Sequence, residues 1–129
     1  MKRYSKGARG ERELLNFLYS KGYSVMRAAG SGVNSLGPDI IAFKEGTGLA
    51  FECKAWNKTS ISIEAEKIEK LKQWESNTKM HTFIAWRMNG SGWFFISLDE
   101  MNRTTDYYTV TRRNALSINR KVDDILGIK

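Results

Sequence analysis

Two short apolar runs constrain this chain most: Pro38-Asp39-Ile40-Ile41-Ala42-Phe43 and Leu49-Ala50-Phe51-Glu52-Cys53-Lys54, separated by Lys44-Glu45-Gly46-Thr47-Gly48. Both have the length and residue types of strands, and the glycine-bearing segment between them reads as a turn. Successive side chains on a strand alternate faces. Glu52 and Lys54 therefore share one face, while Leu49, Phe51 and Cys53 share the other. Pro38, the only proline in the chain, fixes the backbone direction immediately before Asp39. A carboxylate at one strand start and an acid-X-lysine triplet on its neighbour are thus expected side by side.

A chain of 129 residues is most simply one domain, 1–129, large enough to bury a real core. No apolar run approaches the roughly 20 residues needed to cross a bilayer, and Met1-Lys2-Arg3 leads into Ser5-Lys6-Gly7-Ala8-Arg9-Gly10 instead of an apolar signal segment. The expectation is a soluble, cytoplasmic protein. A single cysteine, Cys53, rules out an internal disulfide and a cysteine-cluster metal site, and a single histidine, His81, makes a Ser-His-Asp triad a poor fit. Carboxylates must carry any metal.

The net charge of +7 favours a polyanionic partner. Lys2, Arg3, Lys6, Arg9 and Arg12 crowd the amino terminus, and Arg103, Arg112, Arg113, Arg120 and Lys121 recur in the tail. Charge alone is equally compatible with a merely soluble basic surface. Membrane binding is disfavoured, because no segment joins a basic face to a strong apolar stripe.

The spacing predicts a helix over 6–21, with Leu14, Leu15, Phe17 and Leu18 as its apolar face and Lys21-Gly22 as its stop. On that helix Glu11 falls within the apolar stripe, while Glu13 falls on the opposite, solvated side and is discounted. An inward carboxylate is costly unless paired or bound to a metal. The alternative for Glu11 is a partly exposed acid in the first turn, where the helix dipole favours it. A strand over 23–28 follows, then an irregular loop, Gly30-Ser31-Gly32-Val33-Asn34-Ser35-Leu36-Gly37. Beyond Lys54, Ile61, Ala65, Ile68, Leu71 and Trp74 have helical spacing, predicting a helix over 61–77 capped by Ser60 or Ser62. Strands over 82–87 and 93–98 follow, joined by Asn89-Gly90-Ser91-Gly92. Trp93, Phe94 and Phe95 read better as core than as an interface patch. The tail is poorly patterned, with a short helix expected near 122–126. This order predicts an α/β architecture: a central mixed β-sheet flanked by helices, antiparallel early and continued through a crossover helix.

Phosphodiester hydrolysis needs a nucleophilic water and a way to neutralise charge growing on the phosphoryl and leaving oxygens, and a divalent cation serves both needs. Mg²⁺ prefers oxygen ligands and commonly uses one or two carboxylates. Asp39 and Glu52 suit that demand, with Glu11 as a third carboxylate and the Cys53 carbonyl as a backbone ligand. Lys54 would orient or help deprotonate the attacking water and stabilise the phosphorane. Taken alone, Glu-X-Lys on a strand reads more simply as a solvated cross-strand pair. It is the conjunction with Pro38-Asp39, an inward Glu11 and a basic chain that favours chemistry.

These segments resemble a known family. Lys6-Gly7-Ala8-Arg9-Gly10-Glu11-Arg12-Glu13-Leu14, Lys21 to Ala28, Gly30-Ser31-Gly32, Pro38 to Ala42 and Phe51-Glu52-Cys53-Lys54 look like the archaeal Holliday junction resolvases of the PD-(D/E)XK nuclease superfamily, in the same order over roughly residues 4 to 100. The resemblance implies a restriction-endonuclease-like fold, a homodimer with two active sites, and Mg²⁺-dependent paired nicking of four-way DNA junctions, with Mn²⁺ as a substitute ion. It implies Glu11, Asp39 and Glu52 as metal ligands and Lys54 as the catalytic lysine. Arg12 and Arg27 would contact phosphates or support the site, Ser31 would lie near the scissile strand, and Lys6 and Arg9 join them on DNA. One departure is visible: the family's glutamine on the helix after the lysine strand stands here as Lys67, preceded by Glu66. Two rival readings stay open, another nuclease of the same superfamily acting on duplex or flap DNA, and a non-catalytic DNA-binding module of the same fold.

Overall fold

Alternation along strands and helical spacing sort the apolar residues into two buried clusters on opposite faces of one mixed sheet. The structure, a computed structural model, describes residues 2–28 and 36–127, with side chains described from Gly10 onward. Its elements are α1 (Lys2–Ser20), β1 (Ser24–Arg27), β2 (Ile40–Lys44), β3 (Thr47–Lys54), β4 (Ser60–Glu64), α2 (Ala65–Thr78), β5 (His81–Met88), β6 (Gly92–Ser97), a 3₁₀ turn (Leu98–Glu100), β7 (Asn102–Arg103), β8 (Tyr107–Thr111), α3 (Arg112–Ile118) and α4 (Val122–Ile125). The main sheet has the order β1-β2-β3-β5-β6. Its β1, β2 and β3 run antiparallel, β3 and β5 are parallel, and β6 returns antiparallel to β5. The expected mixed sheet is present.

One face of this sheet carries Ile40, Ala42, Leu49, Phe51, Phe83, Ala85 and Phe95, packed with Leu14 and Leu18 of α1 and Ile125 of α4. The other carries Ile84, Trp86, Phe94 and Ile96 against Ile68 and Leu71 of α2, with Ile61, Ile63 and Val110 from a second, smaller sheet. Phe94 and Phe95 are buried and belong to the core, while Trp93 is partly buried at the edge of the α1-side cluster. Trp86 is fully buried and its indole N–H donates to the Trp56 carbonyl at 2.8 Å, which satisfies the polar end of a large apolar side chain.

The turn joining β2 to β3 is tighter than expected. Glu45 and Gly46 have φ of 51° and 82°, and Lys44 pairs with Thr47 across them. Two consecutive residues with positive φ twist the chain in the sense that flanking strands require, so β3 begins at Thr47 and not at Leu49.

Two expectations for the elements after Lys54 are overturned. The predicted helix over 61–77 begins only at Ala65, because Ser60–Glu64 is strand β4, paired antiparallel with β8 from Ser60↔Thr111 to Glu64↔Tyr107. Ile61 and Ile63 alternate with exposed Ser62 and Glu64, and branched side chains suit a pleated surface. Neither Ser60 nor Ser62 caps α2; its N-cap is Glu64, without a side-chain cap bond. The tail, in turn, is structured: β8 and β7 complete the order β4-β8-β7, and Ala115 of α3 joins the core. Only the short helix near 122–126 was anticipated there.

Three charged side chains fasten these layers. Arg120 donates to both carboxylate oxygens of Glu100 at 2.7 and 2.9 Å and to the Phe95 carbonyl at 3.0 Å. Lys121 donates to the Ser91 carbonyl at 2.7 Å and lies 3.7 Å from the Phe94 ring centroid. These two tail cations are therefore anchored inside the protein. Arg120→Ala should cost about 1–2 kcal/mol of stability, the range for a charge-assisted hydrogen bond with one partner left behind, measured by denaturant unfolding. Stability equal to that of the unchanged chain would mean that the tail is held by its apolar contacts alone. Glu13 is the third. The sequence reading discounted it as solvated, yet its Oε1 accepts from Arg87 at 2.7 Å and from the Trp93 indole at 2.8 Å. Its carboxyl is held below the usual range, chiefly by the Arg87 hydrogen bond. Glu13 thus ties α1 to β5 and β6 from a half-exposed position.

Candidate active site

The antiparallel path of β1, β2 and β3 brings the end of β1, the start of β2 and the end of β3 to one edge of the main sheet. Ile40 pairs with both Arg27 and Phe51, which sets Asp39 beside the Phe51-Glu52 segment. The Asp39 amide donates to the Phe51 carbonyl at 2.9 Å, and its carbonyl accepts from Ala28 at 2.8 Å. Where the β2 backbone ends, the side chain takes over the ladder: Asp39 Oδ2 accepts from the Cys53 amide at 2.9 Å. Asp39 is fixed by three hydrogen bonds.

Glu52 stands next to it and is buried, 7% exposed. Among the described residues its Oε1 has no hydrogen-bond partner, an unusual condition for a buried carboxylate oxygen. Burial above all, then the neighbouring charge of Asp39, pushes its carboxyl up to about 7, against the opposing pull of Lys67 and Lys54; Glu11 adds a smaller push upward. Each of these groups acts as its charge requires. Lys54 follows two residues on along the same strand face, with Nζ 5.7 Å from the Trp56 ring centroid. Lys58 lies over the same ring at 4.9 Å. The shared face expected for Glu52 and Lys54 is borne out by the register, in which they pair with Ile84 and Trp86, both of the α2-side core.

Glu11 reaches this edge from α1, which packs on the opposite face of the sheet. It is partly exposed, and its carboxylate accepts a hydrogen bond from Arg27 Nε. Glu11 and Arg27 are thus joined to each other. Cys53 packs toward the α1-side cluster, and burial, followed by the charges of Asp39, Glu11 and Glu52, raises its thiol well above the ordinary value. Arg12 is exposed on α1. The side chains of Lys6 and Arg9, and the whole of Ser31, lie outside the described residues.

Lys67, which stands in the place of the family's glutamine, also reaches this edge. Its Nζ lies 3.7 Å from Glu52 Oε1 and donates to the Gly37 carbonyl at 2.8 Å. Gly37 itself is pressed on Trp74: a Cβ there would stand 3.2 Å from the indole ring. A sequence signal for Lys67 existed, since it lies one turn before Leu71 and borders the buried stripe of α2.

Among the described residues no group of three or more His, Cys, Asp or Glu side chains is gathered closely enough to hold a metal ion. The donor chemistry at this edge nevertheless fits a hard divalent cation. Asp39 and Glu52 are neighbouring carboxylates whose mutual repulsion a cation would relieve, and Glu52 Oε1, ion-paired with Lys67 but without a hydrogen bond among the described residues, is an oxygen donor with lone pairs to offer.

Comparison with known proteins extends over the whole fold. The family model described as archaeal Holliday junction resolvase (Hjc) matches residues 2–128. The crossover junction endodeoxyribonuclease Hjc of Methanocaldococcus jannaschii is 32% identical over 134 residues, spanning 96% of this chain and 98% of that protein. Its namesake from Archaeoglobus fulgidus is 31% identical over 107 residues, 82% of this chain and 79% of the relative. Among solved structures, Archaeoglobus fulgidus Hjc superposes with a TM-score of 0.84 at 24% identity, covering 95% of this chain and 96% of that one. A bacterial homing endonuclease superposes with a TM-score of 0.51 at 12% identity, over 83% and 73% of the two chains. These likenesses bear out the restriction-endonuclease-like fold.

Proposed function

We propose that this chain, which belongs to the archaeal Holliday junction resolvase family, is an endodeoxyribonuclease that cleaves four-way DNA junctions at the edge formed by Asp39, Glu52 and Lys54. The observation that carries the reading is the buried Glu52, whose Oε1 has no hydrogen bond among the described residues, beside Asp39 at the sheet edge of a basic protein. A carboxylate pair kept in this condition repels a polyanion unless a cation stands between them. That requirement distinguishes a cutting site from a surface that only binds DNA.

In this reading Asp39 and Glu52 would hold Mg²⁺, with Mn²⁺ as a substitute, and the Cys53 carbonyl would add a backbone ligand; Glu11, paired with Arg27 and not gathered with the other two carboxylates, would join them only by moving toward the ion. The bound ion supplies Lewis-acid stabilisation of the phosphoryl oxygens and lowers the pKa of a coordinated water. Asp39, locked through Oδ2 by the Cys53 amide, presents its carboxylate without rearrangement. Lys54 presents its ammonium on the Glu52 face, where it orients the attacking water and offsets negative charge on the phosphorane. Arg27 holds Glu11 in place. Ser31, near the scissile strand, Lys6, Arg9 and the exposed Arg12 contact DNA. The chain acts as one nuclease domain, 1–129, and as a homodimer whose two sites nick opposite strands. Such an enzyme works inside the cell, in the cytoplasm; no described helix is long and apolar enough to cross a membrane.

Junction recognition rests on phosphate contacts, so affinity falls steeply with salt. Arg12→Ala should weaken junction binding and lower the slope of log affinity against log salt by about 1, read by fluorescence anisotropy across a salt series. An unchanged slope would remove Arg12 from the interface. Paired nicking is tested on a supercoiled plasmid that extrudes a cruciform. Conversion directly to linear DNA in Mg²⁺, with a plasmid lacking the cruciform left intact, supports the reading; nicked circles from both plasmids alike would sink it.

A further inference from the structure

We propose that Lys67 is a built-in counter-cation of the Asp39–Glu52 site, which steadies the carboxylate pair when no divalent ion is bound and lowers the affinity of the site for that ion. This rests on the reading of Asp39 and Glu52 as an ion-binding pair. The geometry is specific to charge. At 3.7 Å from Glu52 Oε1, the Lys67 ammonium is close enough to act as an ion-pair partner and too far to satisfy that oxygen with a hydrogen bond. Lys67 therefore supplies a positive potential and leaves the lone pairs of Oε1 open to a ligand that coordinates them.

Lys67 is also tethered. Its side chain is 21% exposed, and one of its protons is committed at 2.8 Å to the carbonyl of Gly37, two residues before Asp39. The adjacent acid, Glu66, is 82% exposed and lies 4.0 Å from Lys70, so it does not draw Lys67 away from the site. Lys54, the other lysine on the Glu52 face, also lies over the Trp56 ring, and its charge acts on Glu52 less than that of Lys67. An ammonium fixed in this way stabilises two adjacent carboxylates in the ion-free protein and repels an incoming divalent cation.

The test is Mn²⁺ affinity without DNA, from the electron paramagnetic resonance signal of free Mn²⁺, for the unchanged chain, Lys67→Gln, Lys67→Arg and Glu52→Gln. Lys67→Gln keeps a donor for Gly37 and removes the charge; it should bind Mn²⁺ roughly tenfold tighter or more, as expected when one unit charge within several ångströms is deleted. Its melting temperature in EDTA should fall, and Lys67→Arg should keep close to the original Mn²⁺ affinity. Unchanged or weaker Mn²⁺ binding by folded Lys67→Gln would overturn the proposal, as would equal tightening by Lys67→Arg. Should Lys67→Gln not fold, Lys67→Met is read by the same titration with the same criteria. Unaltered Mn²⁺ binding by Glu52→Gln would show a different fault, that the ion does not use this carboxylate pair at all.

Discussion

Asp39→Asn and Glu52→Gln are each expected to reduce junction cleavage by roughly 1000-fold or more, a loss of about 4 kcal/mol in barrier stabilisation, while junction binding stays close to that of the unchanged protein. Neither substitution should damage the fold. Asp39 Oδ2 accepts a hydrogen bond from the Cys53 amide, and an asparagine carbonyl oxygen can accept the same bond. Glu52 Oε1 makes no hydrogen bond that glutamine would lose. What both changes remove is negative charge, which a divalent cation needs and DNA phosphates do not. Binding is therefore unaffected or slightly tighter. Single-turnover cleavage and anisotropy on the same labelled junction decide the matter: loss of binding together with cleavage would assign the carboxylates a structural role.

The second large effect is on stability against pH in EDTA. The Glu52 carboxyl is raised from 4.5 to about 7 in the folded chain, first by burial and then by Asp39. Between those values the folded state holds a proton that the unfolded state has released, so stability falls as pH rises through this window. Below about 4.5 this penalty is absent, and above about 7 it is complete. Its size is on the order of 3 kcal/mol, from the linkage between pKa and free energy. Glu13 and Glu100 are shifted the opposite way, by Arg87 and Arg120, so their contributions are present above the unfolded pKa and are lost only as pH falls through the lower folded values. Denaturant unfolding at about pH 5 and about pH 8 should show the decline in the unchanged chain and little of it in Glu52→Gln. Adding Mg²⁺ at the higher pH should recover stability. Parallel profiles for the two proteins would mean that Glu52 is ionised in the folded chain without penalty.

Much of the site was legible because its parts are local. Glu52 and Lys54 share a face through the period of a strand, and Asp39 follows the only proline at a strand start. Glu11 was found by helical spacing, although its ion pair with Arg27 crosses from α1 to β1. Glu13 was discounted and the place of Lys67 was not legible because their partners are distant in sequence: Lys67 meets Gly37 and Glu52, and Glu13 meets Arg87 and Trp93. The fold shows the same division. The antiparallel β2 and β3 were readable from their apolar runs and turn. Strand β4 was not, since Ile61, Ala65 and Ile68 satisfy a helical period as well, and what decides the matter is the pairing with β8 from the far end of the chain. With β4 assigned to a helix, Tyr108 and Val110 had no partner strand and the tail looked unpatterned.

The most direct test of the central claim is incubation of the purified protein with end-labelled four-way junction, matched linear duplex and single strand, each with Mg²⁺ or with EDTA. Symmetric paired nicks confined to the junction, and to the Mg²⁺ reactions, are the predicted result. Cleavage in EDTA, or equal cutting of duplex and single strand, would contradict it.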